Sequence, residues 1–494
     1  MNEKVELSAG GEELTGADMA AEAGIGPILY LRGVDGPIVR LRALVVCREA
    51  GPAPTLSTEA RGSIAGRALL RFAGLHALAY DFELPLATET GYSLDGVHYP
   101  LRTDFIGDLR LAFVSCNGQE SDDRKRDIAE RDALWRRLAQ QHAQDPFHLL
   151  LQGGDQIYAD EVANLHARER HRPVAAWRRH RSADAGPLRE AMRKELFLRY
   201  LELYRHPDMA WLMARVPTLA MWDDHDICDG WGSLPAERMD SPLGRAIFEV
   251  AREFFLLFQC AVGAEESLPD LFLDPEGVSL GWHLKLPGCH LVAPDLRSER
   301  RRDRVMGERG WQGLRHALAA ADAGRVLLLS SVPALGPRLS WVEAVMHLTP
   351  RMEKYEDDLR DQWQSRAHRQ EWRDFLALLV EVHSRGATPV TVLSGEIHLA
   401  TRGTLAAAAG PLHQLVASGI THPAPATAYA RGLGLLARLG ASPLPGHPIR
   451  LHPLPGCRAI YTAERNYLVL KRRGGQWLAH WELEQGGPTL PLAL

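Results

Sequence analysis

An α/β protein with a β-rich N-terminal segment is predicted by three observations. Before about residue 105, short runs rich in Val, Leu and Tyr are separated by Gly, Pro, Asp and Thr clusters. From Arg110 onward, short apolar runs alternate with amphipathic stretches of helical period. Polar residues of metal-binding type cap nearly every one of those later runs. The expected division is a small β-sandwich domain over residues 1–105 and an α/β domain over 106–494.

The N-terminal strands are expected at Ile28–Leu31, Val39–Val46, Leu75–Leu84 and Tyr92–Leu101. Arg110–Cys116 is a short apolar run that reads as the first core strand. Ile128, Leu134, Trp135 and Leu138 then share one helical face, and Pro146 ends that helix. His148–Leu151 is the second core strand. Leu188, Met192, Leu196, Tyr200 and Leu203 recur at near 3.6 spacing and predict a helix. Pro217–Trp222 comes next as a third strand. Ser241-Pro242 supplies a cap and a first-turn proline for the helix containing Phe254 and Leu257. Three more strands are expected at His290–Ala293, Val326–Ser330 and Val390–Leu393, with a helix closing at Gly386. Tyr467–Leu470 and Trp477–Trp481 form a hairpin around Gly474-Gly475. The order predicts helices on both faces of a sheet.

Composition removes several classes of function. The chain has 494 residues, 46% of them hydrophobic and 24% charged, which excludes a disordered chain. With 57 basic and 62 acidic residues the formal charge is −5, so no basic excess drives nucleic-acid binding. Six scattered cysteines without a CxxC pair make no disulfide framework. Met1–Leu29 is acidic and broken by Gly and Pro, unlike a secretory signal. The longest apolar runs, such as Phe254–Phe258, are far too short for a bilayer span. A cytoplasmic protein without nucleic-acid or membrane partners is expected, with its oligomeric state open. Gly432-Leu433-Gly434-Leu435-Leu436-Ala437 imitates a dinucleotide fingerprint, but no strand precedes it, so a turn or small helix is expected. No GxxxxGK phosphate loop occurs. The basic stretch Arg168–Arg181 is either a solvated surface or a lid that gathers phosphate-bearing substrates.

The functional signal lies at the ends of the core strands. Cys116-Asn117, Gly154-Asp155, Asp223-Asp224-His225-Asp226, Asp295 with Arg297, Ser330-Ser331 and Gly395-Glu396-Ile397-His398 each cap one of them. In open α/β sheets the ligand crevice lies at the carboxyl ends of the strands. A lone Asp after a strand is usually a solvated loop end; repetition at one sheet edge points instead to a bound ion or substrate. Carboxylates of Asp155, Asp224 and Glu396 gathered there would repel one another without a cation. Thiolate, imidazole and phenolate suit a transition metal, whereas an oxygen-only set suits Ca²⁺, Mg²⁺ or Mn²⁺. A shared carboxylate sets two ions roughly 3.5–4 Å apart, where a bridging water is acidified to hydroxide and attacks phosphorus in line.

These residues resemble the PhoD-like (alkaline phosphatase D) branch of the calcineurin-like metallophosphoesterases. The resemblance rests on Phe113-Val114-Ser115-Cys116, Gly154-Asp155-Gln156-Ile157-Tyr158-Ala159-Asp160 and Trp222-Asp223-Asp224-His225-Asp226, and more loosely on Asp295-Leu296-Arg297-Ser298 and Ser394-Gly395-Glu396-Ile397-His398. It implies a metallophosphoesterase α/β sandwich over residues 106–494 behind a small N-terminal β-domain. It also implies a phosphatase or phosphodiesterase with two metals. Cys116, Asp155, Tyr158 and His398 would hold the first, an iron in the best-described members, with zinc or manganese as substitutes. Asp155 would bridge to the second, often calcium, with manganese or magnesium as substitutes, held further by Asp224 and Glu396. His225 would face the scissile ester as acid or transition-state stabiliser, Asn117 would touch the phosphate, and Arg297 would either touch it too or form a structural ion pair. Glu396 departs from the family's usual Asp by one methylene. Two other readings stay open: a noncatalytic metal-dependent scaffold for phosphorylated ligands, and a metal-dependent hydrolase of nonphosphate esters.

Overall fold

Two large β-sheets stacked face to face form the centre of the computed structural model, which describes residues 24–118, 125–160, 185–337 and 361–494. The N-terminal segment forms β1 (Ile25–Asp35), β2 (Ile38–Arg48), β3 (Leu56–Thr58), β4 (Arg61–Ile64), β5 (Arg67–Phe72), β6 (Leu75–Pro85), β7 (Thr90–Leu94) and β8 (Val97–Leu101). Then come β9 (Leu109–Val114), β10 (Leu149–Gly153), β11 (Thr218–Met221), β12 (Trp282–Leu286), β13 (Cys289–Ala293), β14 (Arg325–Ser330) and β15 (Val390–Ser394). The remainder contributes β16 (Thr401–Leu405), β17 (Leu412–Val416), β18 (Ala441–Leu444), β19 (His447–His452), β20 (Asn466–Arg473) and β21 (Gln476–Leu483).

The first sheet runs β21-β20-β9-β10-β11-β1-β2-β6-β5, and the second β12-β13-β14-β15-β17-β16-β19-β18. β9, β10 and β11 are parallel, as are β13, β14, β15 and β17. Each parallel set therefore ends its strands at one edge, where the polar caps collect. Side-chain alternation along β14 shows how the layers stack. Leu327 and Leu329 pack in the core that contains the first sheet, while Val326 and Leu328 pack with the helices Glu308–Ala320 and Arg369–Ser384. Helices thus cover the outer faces of two stacked sheets instead of both faces of one. A strand that is apolar on both sides accepts either a helix or another sheet as cover, so its sequence does not decide between them.

The N-terminal segment is β-rich as expected, but it is not walled off from the rest. β3, β4, β7 and β8 form a small sheet of their own, whereas β1, β2, β5 and β6 extend the first large sheet. β1 pairs in parallel with β11, Tyr30 opposite Thr218. The cause lies in the run Ile28-Leu29-Tyr30-Leu31, every residue of which is buried, as an interior strand requires. The Tyr30 hydroxyl donates to the Phe258 carbonyl at 2.6 Å, tying β1 to the helix Pro242–Cys260. That helix starts where the sequence places it: Ser241 Oγ accepts from the Gly244 amide at 3.0 Å, with proline at the first turn. Gly474 and Gly475 both adopt positive φ between β20 and β21, as a tight hairpin needs. The glycine-rich 432–437 run lies within the helix Thr427–Ala437. No helix among the described residues is long and apolar enough to cross a membrane.

Candidate metal centre

Cys116 lies two residues beyond β9, Asp155 two beyond β10, Asp223 two beyond β11, and Glu396 and His398 just beyond β15. Seven described non-glycine residues have positive φ, and four of them are Cys116 (+54°), Asp155 (+55°), Glu396 (+66°) and His398 (+52°). The left-handed region is unfavourable for residues with a Cβ and persists only where surrounding contacts impose it. Here they do. The Cys116 amide donates to the Gly154 carbonyl at 3.1 Å and the Asn117 amide to the Asp155 carbonyl at 2.8 Å. One oxygen of buried Asp226, Oδ2, accepts from the amides of both Asp155 and Asp223 at 2.9 Å, fastening two loops together. Gly154 (φ +104°) sits so close to the neighbouring loop that an added Cβ would lie 2.7 Å from the Asp223 Cβ.

Two sets of ligand atoms converge. Those of Cys116, Asp155 and His398 lie within 4.8 Å of one another, and so do those of Asp155, Asp223 and Asp224. Asp155 belongs to both. Cys116 Sγ is 3.4 Å from Asp155 Oδ2, and the Tyr158 hydroxyl is 3.1 Å from His398 Nε2. Burial pushes the Cys116 thiol up to about 11. It pushes the Asp155 carboxyl well above its ordinary range, helped by Cys116, Asp223 and Asp224. Burial also holds His398 neutral, with His422 and His225 adding repulsion. Asp155 Oδ1 and Asp223 Oδ2 are buried with no hydrogen-bond partner among the described residues. Buried oxygens left bare cost free energy. A cation among this thiol, imidazole and carboxylate set would pair them and favour the ionised forms, so the residues fit a metal.

His225 flanks these sets. Its Nδ1 lies 2.6 Å from Asp160 Oδ2, and Asp160 Oδ1 accepts from the Asp229 amide at 2.6 Å. The His225 ring stacks on Tyr158 with centroids 4.2 Å apart. Asp224 Oδ2 accepts from the Gly230 amide at 2.7 Å, and Asp224, His225 and Asp229 make a third convergent group.

Three expectations need correction or adjustment. Of the two roles open to Arg297, the structure shows the structural ion pair and not the phosphate contact. Arg297 is fully buried, and its Nε donates to Asp223, Nη1 to Asp361 and the Trp231 carbonyl, and Nη2 to Asp361 and Asp224. All five N–H groups of a guanidinium are thereby used, so none remains for a phosphate. Asn117 is likewise committed inward: its Oδ1 accepts from Trp135 Nε1 at 2.9 Å and Thr421 Oγ1 at 3.2 Å, and its Nδ2 approaches the Gln156 carbonyl at 3.4 Å. Glu396 stands beside the cluster but outside the convergent sets, both of its oxygens accepting from Gln362 Nε2 at 2.8 and 2.9 Å. Asp223 takes the place in the second set that was expected for Glu396. The Arg168–Arg181 stretch lies outside the described residues.

Sequence reasoning missed the fastening role of Asp226, although the residue stands inside the Trp222–Asp226 motif. It also missed the loop after β17. Ser418 Oγ donates to Cys116 Sγ at 3.1 Å and accepts from the His398 amide at 2.9 Å, and the His422 ring lies 3.6 Å from that of His398. The available signal was one more polar cap, Ser418 to His422, after an apolar run.

Residues 113–355 match a family model described as PhoD related phosphatase. An uncharacterized protein of Saccharomyces cerevisiae is 24% identical over 398 residues, covering 66% of this chain and 55% of its own length. The chain therefore spans about half the length of that curated relative. The solved structure of PhoD superposes with a TM-score of 0.57 at 13% identity, covering 92% of this chain and 86% of its own. A dimetal phosphatase from Danio rerio aligns at 11% identity over 78% of this chain and 98% of its own, but its TM-score of 0.33 is too low to carry weight.

Proposed function

We propose, from the match of residues 113–355 to the PhoD related phosphatase model and from the geometry of the site, that the chain is a metal-dependent phosphoesterase hydrolysing phosphate mono- or diesters. One observation carries the reading: a thiol, an imidazole and three buried carboxylates converge, with two carboxylate oxygens left bare. Cys116, Asp155, Tyr158 and His398 would hold one ion; their thiolate and imidazole suit iron, zinc or manganese. Asp155, Asp223 and Asp224 would hold a second; oxygen ligands suit calcium, manganese or magnesium. Divalent ions there supply Lewis-acid stabilisation of charge developing on the phosphoryl oxygens.

The remaining roles belong to the chain itself. Asp155, shared by both sets, fixes their spacing, and Asp226 fixes Asp155 and Asp223 through their amides. Asp160 orients the His225 ring through Nδ1, and that oriented imidazole is assigned to protonate the leaving oxygen. The oriented imidazole favours an enzyme over a noncatalytic scaffold, which has no use for a positioned proton donor. Arg297 neutralises Asp223 and Asp361 from behind the site.

The test is hydrolysis of p-nitrophenyl phosphate and bis-p-nitrophenyl phosphate by the purified chain, before and after chelation, beside metal analysis. Metal-dependent turnover of either ester is expected. Bound metal without turnover of either would leave a binding scaffold or a hydrolase of another ester.

A further inference from the structure

Between Glu396 and Glu464 the sequence contains no Asp, Glu or Lys, yet residues 397–463 include five arginines, in a chain whose overall charge is −5. Arg431, Arg438, Arg450 and Arg458 are exposed, and none forms an ion pair among the described residues. The helix Thr427–Ala437 lies in the middle of this segment. Only Ala430 and Ala437 of that helix are buried. Tyr429, Leu435 and Leu439 are 59%, 63% and 79% exposed, three large apolar side chains within eleven residues. Single exposed apolar residues are ordinary on any surface; a cluster interleaved with unpaired arginines marks a contact surface.

The cluster adjoins the candidate metal centre. The buried alanines of the helix pack with Leu399, and Ile397 packs against the same group, so the helix rests on the residues that flank His398. The helix begins five residues after His422, whose ring stacks on His398.

We infer that this face docks on an anionic lipid bilayer and presents headgroup phosphate esters to the site. The choice of occupant rests on charge and area. Three side chains expose on the order of 400 Å², well below the ~800 Å² per partner of a stable protein interface. Shallow insertion of a few apolar side chains, with neighbouring arginines at the headgroup level, suffices at a lipid surface. The absence of any acid over the segment removes the repulsion that an anionic surface would otherwise meet. The inference revises the expectation of no membrane partner. Its docking part is independent of the proposed activity; only the lipid substrate class rests on the phosphoesterase reading.

The experiment is cosedimentation of the full chain with vesicles of phosphatidylcholine alone and of phosphatidylcholine with phosphatidylserine. Wild type should bind the anionic vesicles at least tenfold better, and less well as salt rises. Arg431→Gln with Arg438→Gln should weaken binding about fivefold per arginine. Leu435→Ser with Leu439→Ser should weaken it by tenfold or more, while hydrolysis of a soluble ester by either variant stays at the wild-type rate. Equal binding to both vesicle types, unchanged binding by both variants, or a concentration-dependent dimer that fails to bind vesicles would overturn the inference. Vesicle binding without hydrolysis of any phosphate ester would keep the docking surface and remove the phosphoesterase reading.

Discussion

Removing the Arg297 guanidinium should damage the fold before it touches the chemistry. The side chain is fully buried and pairs with Asp223, Asp224 and Asp361, which come from two different parts of the chain. Burial alone raises both Asp223 and Asp361. Arg297 and Arg300 outweigh it at Asp361 and hold that carboxyl well below the usual range, whereas Asp223 remains raised to about 6. Arg297→Met leaves these carboxylates in the interior without their cation. Breaking a buried pair from one side costs roughly 3–5 kcal/mol. At about 1 °C per kcal/mol, from an unfolding entropy of roughly 2.1 cal/mol/K per residue over the whole chain, the melting midpoint should fall by roughly 3–5 °C. Arg297→Lys keeps a charge but loses the planar fork, so it should fall in between. The assay is thermal unfolding of the three proteins at one scan rate in chelator, with KM for a soluble ester measured separately on metal-loaded protein below the transition. Wild-type stability in Arg297→Met combined with a raised KM would refute this role and return Arg297 to the substrate.

The same geometry sets three other expectations. His225→Ala should lower kcat by roughly 10²–10⁴-fold while metal content stays at the wild-type level; loss of an ion in that variant would make His225 a ligand instead. Gly154→Ala should lose metal and activity together, because the new Cβ meets Asp223 in a backbone conformation that L side chains resist; a fully loaded, active variant would show that the two loops have room to part. His142 is buried against Phe147, and burial pushes its ring down to about 4 from an ordinary 6.5. The unfolded chain takes up that proton first, so stability is intact above about pH 6.5 and is lost as pH falls toward 4. In His142→Gln the slope of stability against pH over that window should flatten by about one proton, ~1.4 kcal/mol per pH unit, and identical slopes in denaturant titrations would count against it.

Legibility in the sequence tracked how local each signal was. β9, β10, β13, β14 and β15 are short apolar runs buried on both faces, and each announces itself without reference to a partner. β16 and β19 carry Arg402, Pro448 and Arg450 and are buried on alternate residues, and their mutual pairing, Arg402 opposite His452, identifies them as sheet. The ligand types at the strand ends were readable for the same local reason. The inward commitment of Asn117 was not, and for Arg297 the sequence left an ion pair and a phosphate contact equally open. Arg297 meets Asp361 from 64 residues away, and Asn117 meets Thr421 from 304 away. Asp226 was visible as a residue, but its service to the Asp155 amide, 71 residues distant, is a property of the folded edge.

Asp155 joins the two ligand sets, and on the proposed function both sets form one metal centre that the chemistry requires. The measurement is metal content per chain, taken beside turnover of a soluble phosphate ester, for wild type and Asp155→Asn after chelation and reloading with divalent ions. Wild type should regain two equivalents and its activity, whereas Asp155→Asn should fail to reload both sites and show no turnover. Full activity in metal-free wild type, or two equivalents with normal turnover in Asp155→Asn, would contradict it.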